Sequence, residues 1–141
     1  MSGTRRVRFA TAEGTEELWL HFEATPKNIA PARHAIAARA RSAGLPEALI
    51  DNIALAASEA LTNAVVHGFK EDQAGHVEVT AGLQAAGFVI TVRDDGGGMV
   101  PRPDSPGLGL GLPIIAQLAA TLDVRSDPAG GGTTVCMTFT Y

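Results

Sequence analysis

Cysteine is nearly absent: Cys136 is the only one among 141 residues. No internal disulfide is available and one thiol cannot build a metal site, so the chain reads as one suited to a reducing compartment. Positive charge is short as well. Lys and Arg number 11 against 15 Asp and Glu, a formal net charge of -4, and the sequence pI is about 5.5. That balance argues against nucleic-acid binding through bulk positive charge. Arg5, Arg6 and Arg8 form only a short basic run near the start. No apolar run approaches the roughly 18 residues of a membrane span, and no signal-peptide apolar region opens the chain. Internal repeats and dividing linkers are missing too. The expectation is a cytoplasmic chain of one domain, with no membrane and no direct nucleic-acid partner. At 45% hydrophobic and 18% charged it can bury a core.

Residues 1–15 show no clear period and read as an N-terminal extension, with the folded domain over 16–141. "LWLHFEAT" alternates Leu18, Leu20 and Phe22 against Trp19, His21 and Glu23, the pattern of a half-buried strand. A helix then runs from Pro26 to Gly44, with Ile29, Ala32, Ile36 and Ala40 as its buried stripe and Arg33, Arg39 and Arg41 mostly off it. A longer helix runs from near Pro46 to Gly68. "HVEVTAGL" and "GFVITVRDD" read as paired strands with a turn at Gly87. The stretch "GGGMVPRPDSPGLG" reads as loop, "LGLPIIAQLAATL" as a third helix, and "DVRSD" and "TTVCMTFTY" as closing strands. Strands that follow one another so directly predict an α+β two-layer sandwich, with a mixed, mostly antiparallel sheet and helices on one face.

Three stretches carry polar or glycine-rich patterns that a core does not need. In "SEALTNAVVHG", Glu59, Asn63 and His67 are four residues apart and share one edge of the long helix, while Ile50, Ile53, Ala57, Leu61 and Ala64 lie on the other side. A solvated polar edge is the ordinary explanation. The flanking Leu55 and Val66 and the lack of Lys or Arg favour another: a carboxylate and an amide that handle a proton and a metal ion. In "VRDDGGGM", Asp94 ends a strand where a carboxylate can accept from an exocyclic amine. Gly96 and Gly98 would let a flat ring approach the backbone; a tight turn is the alternative. In "GLGLGLPII", glycines at 107, 109 and 111 lead into a helix, an arrangement that suits a phosphate chain or, alternatively, a lid hinge. Leu112 breaks the dinucleotide-binding pattern, and no Lys-Ser/Thr completes a Walker loop.

Together with "GGGTTV", these stretches keep the order of an E-x-x-x-N helix, a D-x-G-x-G strand end, a G-x-G-x-G helix start and a G-x-G-T strand start. The combination resembles the GHKL ATPase/kinase superfamily, which includes gyrase, chaperone and repair ATPases and histidine kinases, over about residues 18–140. The resemblance implies the Bergerat ATP-binding fold, with ATP and Mg²⁺ as cofactors. It implies Glu59 as general base and Asn63 as the Mg²⁺ ligand. Asp94 would hold the adenine amine, with Gly96, Gly98 and Met99 beside the ring. Gly107, Leu108, Gly109, Leu110 and Gly111 would cradle the phosphates, and Gly130, Gly132 and Thr133 would form the last box, with Thr133 supporting the adenine contact. His67 would contact phosphate or cap the helix.

A strand-helix-helix opening and this form of "SEALTNAVVHG" are similar to the anti-sigma factor serine-protein kinases. That branch implies a chain that sequesters a sigma factor and phosphorylates a serine on an anti-anti-sigma (STAS-type) partner. The outer side of the helix from Pro26 to Gly44 would offer a docking or homodimer surface, or merely a solvated face. One departure stands out: "VPRPDSP", between Met99 and Gly107, is a short lid stiffened by Pro101, Pro103 and Pro106, with Arg102 as its one basic residue. Two other readings therefore remain: a nucleotide-binding regulatory module without turnover, and a detached ATPase domain of a larger sensor.

Overall fold

The computed structural model describes residues 6–12, 15–68, 75–95, 108–126 and 132–141. In chain order these are strands β1 (Arg6–Ala12) and β2 (Thr15–Glu23), a single 3₁₀ turn (Pro26–Asn28), helices α1 (Ile29–Ser42) and α2 (Glu47–Gly68), strands β3 (His76–Gln84) and β4 (Gly87–Asp94), helix α3 (Leu108–Leu118), and strands β5 (Thr121–Ser126) and β6 (Thr133–Phe139). The strands form one sheet in the order β1-β2-β3-β4-β6-β5. Every pairing among the described residues is antiparallel, so the mixed component expected of the sheet is not found there. The α+β two-layer sandwich itself is as expected.

The period-2 alternation of the strands decides which side is buried. Leu18, Leu20 and Phe22 on β2, Val77 and Val79 on β3, Phe88, Ile90 and Val92 on β4, and Val135, Met137 and Phe139 on β6 all point to the helical layer and are buried. Helix α2 answers with Ile50, Ile53, Ala57, Ala60, Leu61 and Ala64, also buried. Its alanines let the helix axis come close to the sheet, so a 22-residue helix packs along β3, β4 and β6. By length and composition Glu47–Val66 is apolar enough to cross a membrane, at mean hydropathy 1.2, contrary to the reading of the sequence alone. Half of that stretch is buried inside the fold, and its apolar side is the one that meets the sheet.

Three details depart from the sequence reading. β1 lies in the stretch expected to be an extension. It joins the sheet by pairing with β2, from Arg6 opposite His21 to Ala12 opposite Thr15. Arg39, expected off the buried stripe of α1, is only 6% exposed; its guanidinium donates to the Ser42 hydroxyl at 2.9 Å, one turn along. Leu55 and Val66, expected to wall a polar stripe, are 49% and 62% exposed and stand in solvent. The entry to α1 is tied back to the sheet, since the Asn28 amide donates to the Glu23 carbonyl and the Thr25 hydroxyl, at 2.9 and 3.1 Å.

Candidate nucleotide site

Helix α2 delivers the first two candidate residues. Glu59 is half-buried and Asn63, one turn on, is buried at 7% exposure. Among the described residues the Asn63 amide nitrogen has no hydrogen-bond partner, although it is shut off from water. Such an atom costs on the order of 1–3 kcal/mol, so the fold carries unspent donor capacity there. Nitrogen and oxygen of an amide exchange by a simple flip, so the same side chain can turn its oxygen to that position. His67 ends the same edge of the helix, but its side chain lies outside the described residues.

Helix α3 packs against α2 at this level. It begins at Leu108, two residues earlier than expected, so Gly109 lies in its first turn rather than in a loop, and Gly111 follows within the helix as expected. The first four amides of a helix, here those of Leu108 to Gly111, have no partner within it and make the positive end of its dipole. Gly111 rests directly on Asn63: a Cβ at that position would stand 2.8 Å from the amide nitrogen. A side chain there would have to push the Asn63 amide aside, so glycine lets the helix start come against the amide as it stands.

The end of the sheet carries the other buried polar candidates. Asp94, the last residue of β4, and Thr133, the first of β6, are opposite one another in the strand register. Both are turned inward, at 3% and 1% exposure. Gly132 makes this pairing reachable. Its φ is +101°, and a Cβ there would collide with the Asp94 carbonyl oxygen. A carboxylate buried so deeply at a strand end is costly unless it is hydrogen-bonded, so its place is informative.

The structure thus brings Asn63 against Gly111, and Asp94 beside Thr133. Leu108, Gly109 and Leu110 are placed by backbone only, and Gly96, Gly98, Met99, Gly107, Gly130 and the lid from Val100 to Pro106 lie outside the described residues. The residues present fit a nucleotide with its metal. An inward carboxylate suits an amine, a helix start suits phosphates, and an orphaned amide suits a hydrated cation or phosphate oxygen. Among the described residues no three His, Cys, Asp or Glu side chains gather around a metal position. Mg²⁺, which keeps several waters and takes one or two protein ligands, does not call for such a cluster.

Sequence reasoning missed a group on the opposite face of the sheet. The Trp19 and His21 rings stack at 5.9 Å with planes 9° apart, and His21 and His76 stack at 5.2 Å and 10°. The Trp19 indole donates to Glu78 at 2.6 Å. An open depression of about 180 Å³ beside them is lined by His21, His76, Glu78, Arg93, Asp94 and Asp95. Alternation of Trp19 and His21 with the apolar residues signalled that both face outward, but the neighbours they meet depend on strand register.

Comparison with known proteins supplies a second line of argument. The histidine kinase-like ATPase domain family matches residues 22–139. The anti-sigma F factor of Clostridium acetobutylicum is 30% identical over 129 residues, covering 84% of this chain and 89% of that protein. The anti-sigma F factor of Geobacillus stearothermophilus is 28% identical over 136 residues, 89% of this chain and 92% of that protein. A shorter match, 32% identical over 87 residues, links the chain to the anti-sigma F factor of Shouchella clausii; it spans 54% of this chain and 60% of that relative.

Proposed function

The chain belongs to the histidine kinase-like ATPase domain family, and from that premise we propose that it is a cytoplasmic anti-sigma factor with protein-serine kinase activity. It sequesters a sigma factor and phosphorylates a serine on a STAS-type anti-anti-sigma partner. The observation that carries this reading is the meeting of Asn63 and Gly111 at the start of α3, one helical turn from Glu59. Similarity to anti-sigma F factors over most of the chain supports the choice of branch.

In this reading each residue has a task. Asp94 accepts a hydrogen bond from the adenine amine, with the Thr133 hydroxyl beside it. Gly96, Gly98 and Met99 border the ring. Gly107 and the amides of Leu108, Gly109, Leu110 and Gly111 hold the phosphate oxygens and the charge that builds on them. Asn63 would hold Mg²⁺, which when bound would neutralise phosphate charge. Glu59 takes the proton from the partner's serine hydroxyl as its oxygen bonds to the γ-phosphorus, and the bond to the β-phosphate bridging oxygen breaks to leave ADP. No covalent intermediate on the protein is needed; positioning and charge carry the rate.

The test is phosphoryl transfer. Purified chain, labelled ATP, Mg²⁺ and candidate STAS-type partners should yield phosphoserine on a partner, and Glu59→Ala should reduce it at least about 100-fold, the scale of a lost general base. Tight nucleotide binding without transfer to any partner would sink the kinase reading. It would favour a regulatory module without turnover, which the short proline-rich stretch Val100–Pro106 also suggests.

A further inference from the structure

Asp94 and Asp95 are neighbours in sequence and face opposite sides of the sheet. Asp94 is 3% exposed, whereas the Asp95 side chain is 53% exposed and turned to the outer face. The regular β3–β4 ladder ends with Val77 opposite Asp94. One further rung is added by Asp95 and His76, and it is unlike the others. The His76 backbone N–H donates to Asp95 Oδ1 at 2.7 Å. The Asp95 N–H donates to the His76 carbonyl at 3.3 Å. The second carboxylate oxygen lies 3.6 Å from His76 Nδ1. The His76 ring is in turn stacked on His21, and His21 on Trp19, whose indole is held by Glu78.

Three consecutive glycines, Gly96 to Gly98, follow at once. A glycine run has the largest conformational freedom of any backbone, so without a fixed point the strand would fray from its end. Asp94 is the last strand residue before that run. Its aim depends on where the strand stops being held. A side chain that reaches across to the neighbouring strand at position 95 sets that point one residue beyond Asp94.

We propose that Asp95, clasped to His76, is a positioning residue for nucleotide binding: it fixes the exit of β4 and thereby aims Asp94 at the base. The inference rests on the reading of Asp94 as the adenine acceptor. It acts through Asp94, so it concerns the base and leaves the phosphates untouched. Asp95→Ala removes the acceptor for the His76 amide. Asp95→Asn retains an oxygen at the same reach and loses only the charge.

The experiment is calorimetric titration of the full chain with ADP and Mg²⁺, and separately with inorganic tripolyphosphate and Mg²⁺. Asp95→Ala should weaken ADP about fivefold, the worth of one exposed hydrogen bond. Asp95→Asn should return ADP affinity to within about twofold of the parent, on the same reasoning. Tripolyphosphate should bind all three proteins equally. A half-exposed side chain away from the core leaves the fold intact on replacement, which a thermal melt checks. Unchanged ADP affinity in Asp95→Ala, equal weakening in Asp95→Asn, or a parallel loss for tripolyphosphate would each overturn the inference. Asp94→Ala separates it from the reading beneath: if the parent binds ADP and Asp94→Ala does not, the adenine role stands whatever Asp95 does. A parent that binds no ADP would remove both.

Discussion

On its inner face the sheet presents Leu18, Leu20, Phe22, Val77, Ile90, Val92, Met137 and Phe139, none more than 2% exposed. On its outer face the same strands present Trp19, His21, His76, Glu78 and Arg93, all half-buried or exposed. The inner side is apolar and close-packed until its far end, where Asp94 and Thr133 interrupt it, and α2 likewise buries the polar Asn63. A folding core has no use for these three polar groups, and one of their atoms goes without a partner. The difference teaches that the interior serves stability along most of its length and gathers polar groups at one end, where the proposed nucleotide site lies. The outer side contributes geometry instead, through rings and a carboxylate that brace the strand ends.

The comparison can be broken most sharply in the core. Phe88→Ala should cost about 3–5 kcal/mol of stability in urea denaturation, the usual penalty for a truncated buried aromatic. Thr91→Ala, on the outer side of the same strand and near Cys136, should stay within about 0.5 kcal/mol. Similar losses at both would mean that the two faces do not divide the work in this way. Next comes Asn63→Ala, for which stability and binding should move apart. Removing an orphaned buried amide should leave the urea midpoint unchanged or raise stability by up to about 1 kcal/mol. ADP affinity in Mg²⁺ should fall at least about tenfold, equivalent to roughly 1.4 kcal/mol. A fall in both would make Asn63 an ordinary structural residue.

The smallest effect belongs to the outside of the helical layer, where Arg41 and Glu47 pair at 3.1 Å with both side chains well exposed. The hydrogen bond from Arg41, and then the charge of its guanidinium, hold the Glu47 carboxyl below its ordinary range; the bond to Glu47, and then its charge, raise Arg41 in turn. The folded state therefore binds the Glu47 proton more weakly than the unfolded chain does. Any stabilisation is present above the ordinary glutamate pKa of about 4.3 and fades as pH falls below it. Glu47→Gln should leave the melting temperature unchanged within error at pH 7, because solvent screens so exposed a pair. Its melting curve should lose only a slight dependence on pH in the acid range. A clear drop at pH 7 would show that this surface pair matters more than its exposure allows.

Much of this was legible in the sequence. The strands β2, β3, β4 and β6 follow from alternation, and α2 from its Ala, Leu and Ile spacing, because burial on one face imposes a period that the residues record. Glu59 and Asn63 share an edge by helical geometry alone. β1 was not read from the sequence: Val7 and Phe9 alternate with Arg6 and Arg8 over only four residues, too short a stretch to set a period, and the segment becomes a strand by pairing with β2. The start of α3 was misplaced because glycines lower helix propensity, and packing of the helix against α2 overrides that preference. Arg39 escaped a stripe count because a long side chain can lie along an apolar surface and still find the Ser42 hydroxyl.

What the sequence by itself determined was the set of parts: two-sided strands, a helix with a polar edge, and glycines placed before a helix and before the last strand. Local propensity and periodicity act over a few residues, and that range is enough to specify such parts. Which parts meet was a matter for the tertiary structure. Only the packing of α3 on α2 put Gly111 against Asn63, and only the strand register set Asp94 opposite Thr133 and Asp95 across from His76. These contacts join residues 48, 39 and 19 positions apart, and a register shift of one would turn each strand's side chains to the other face.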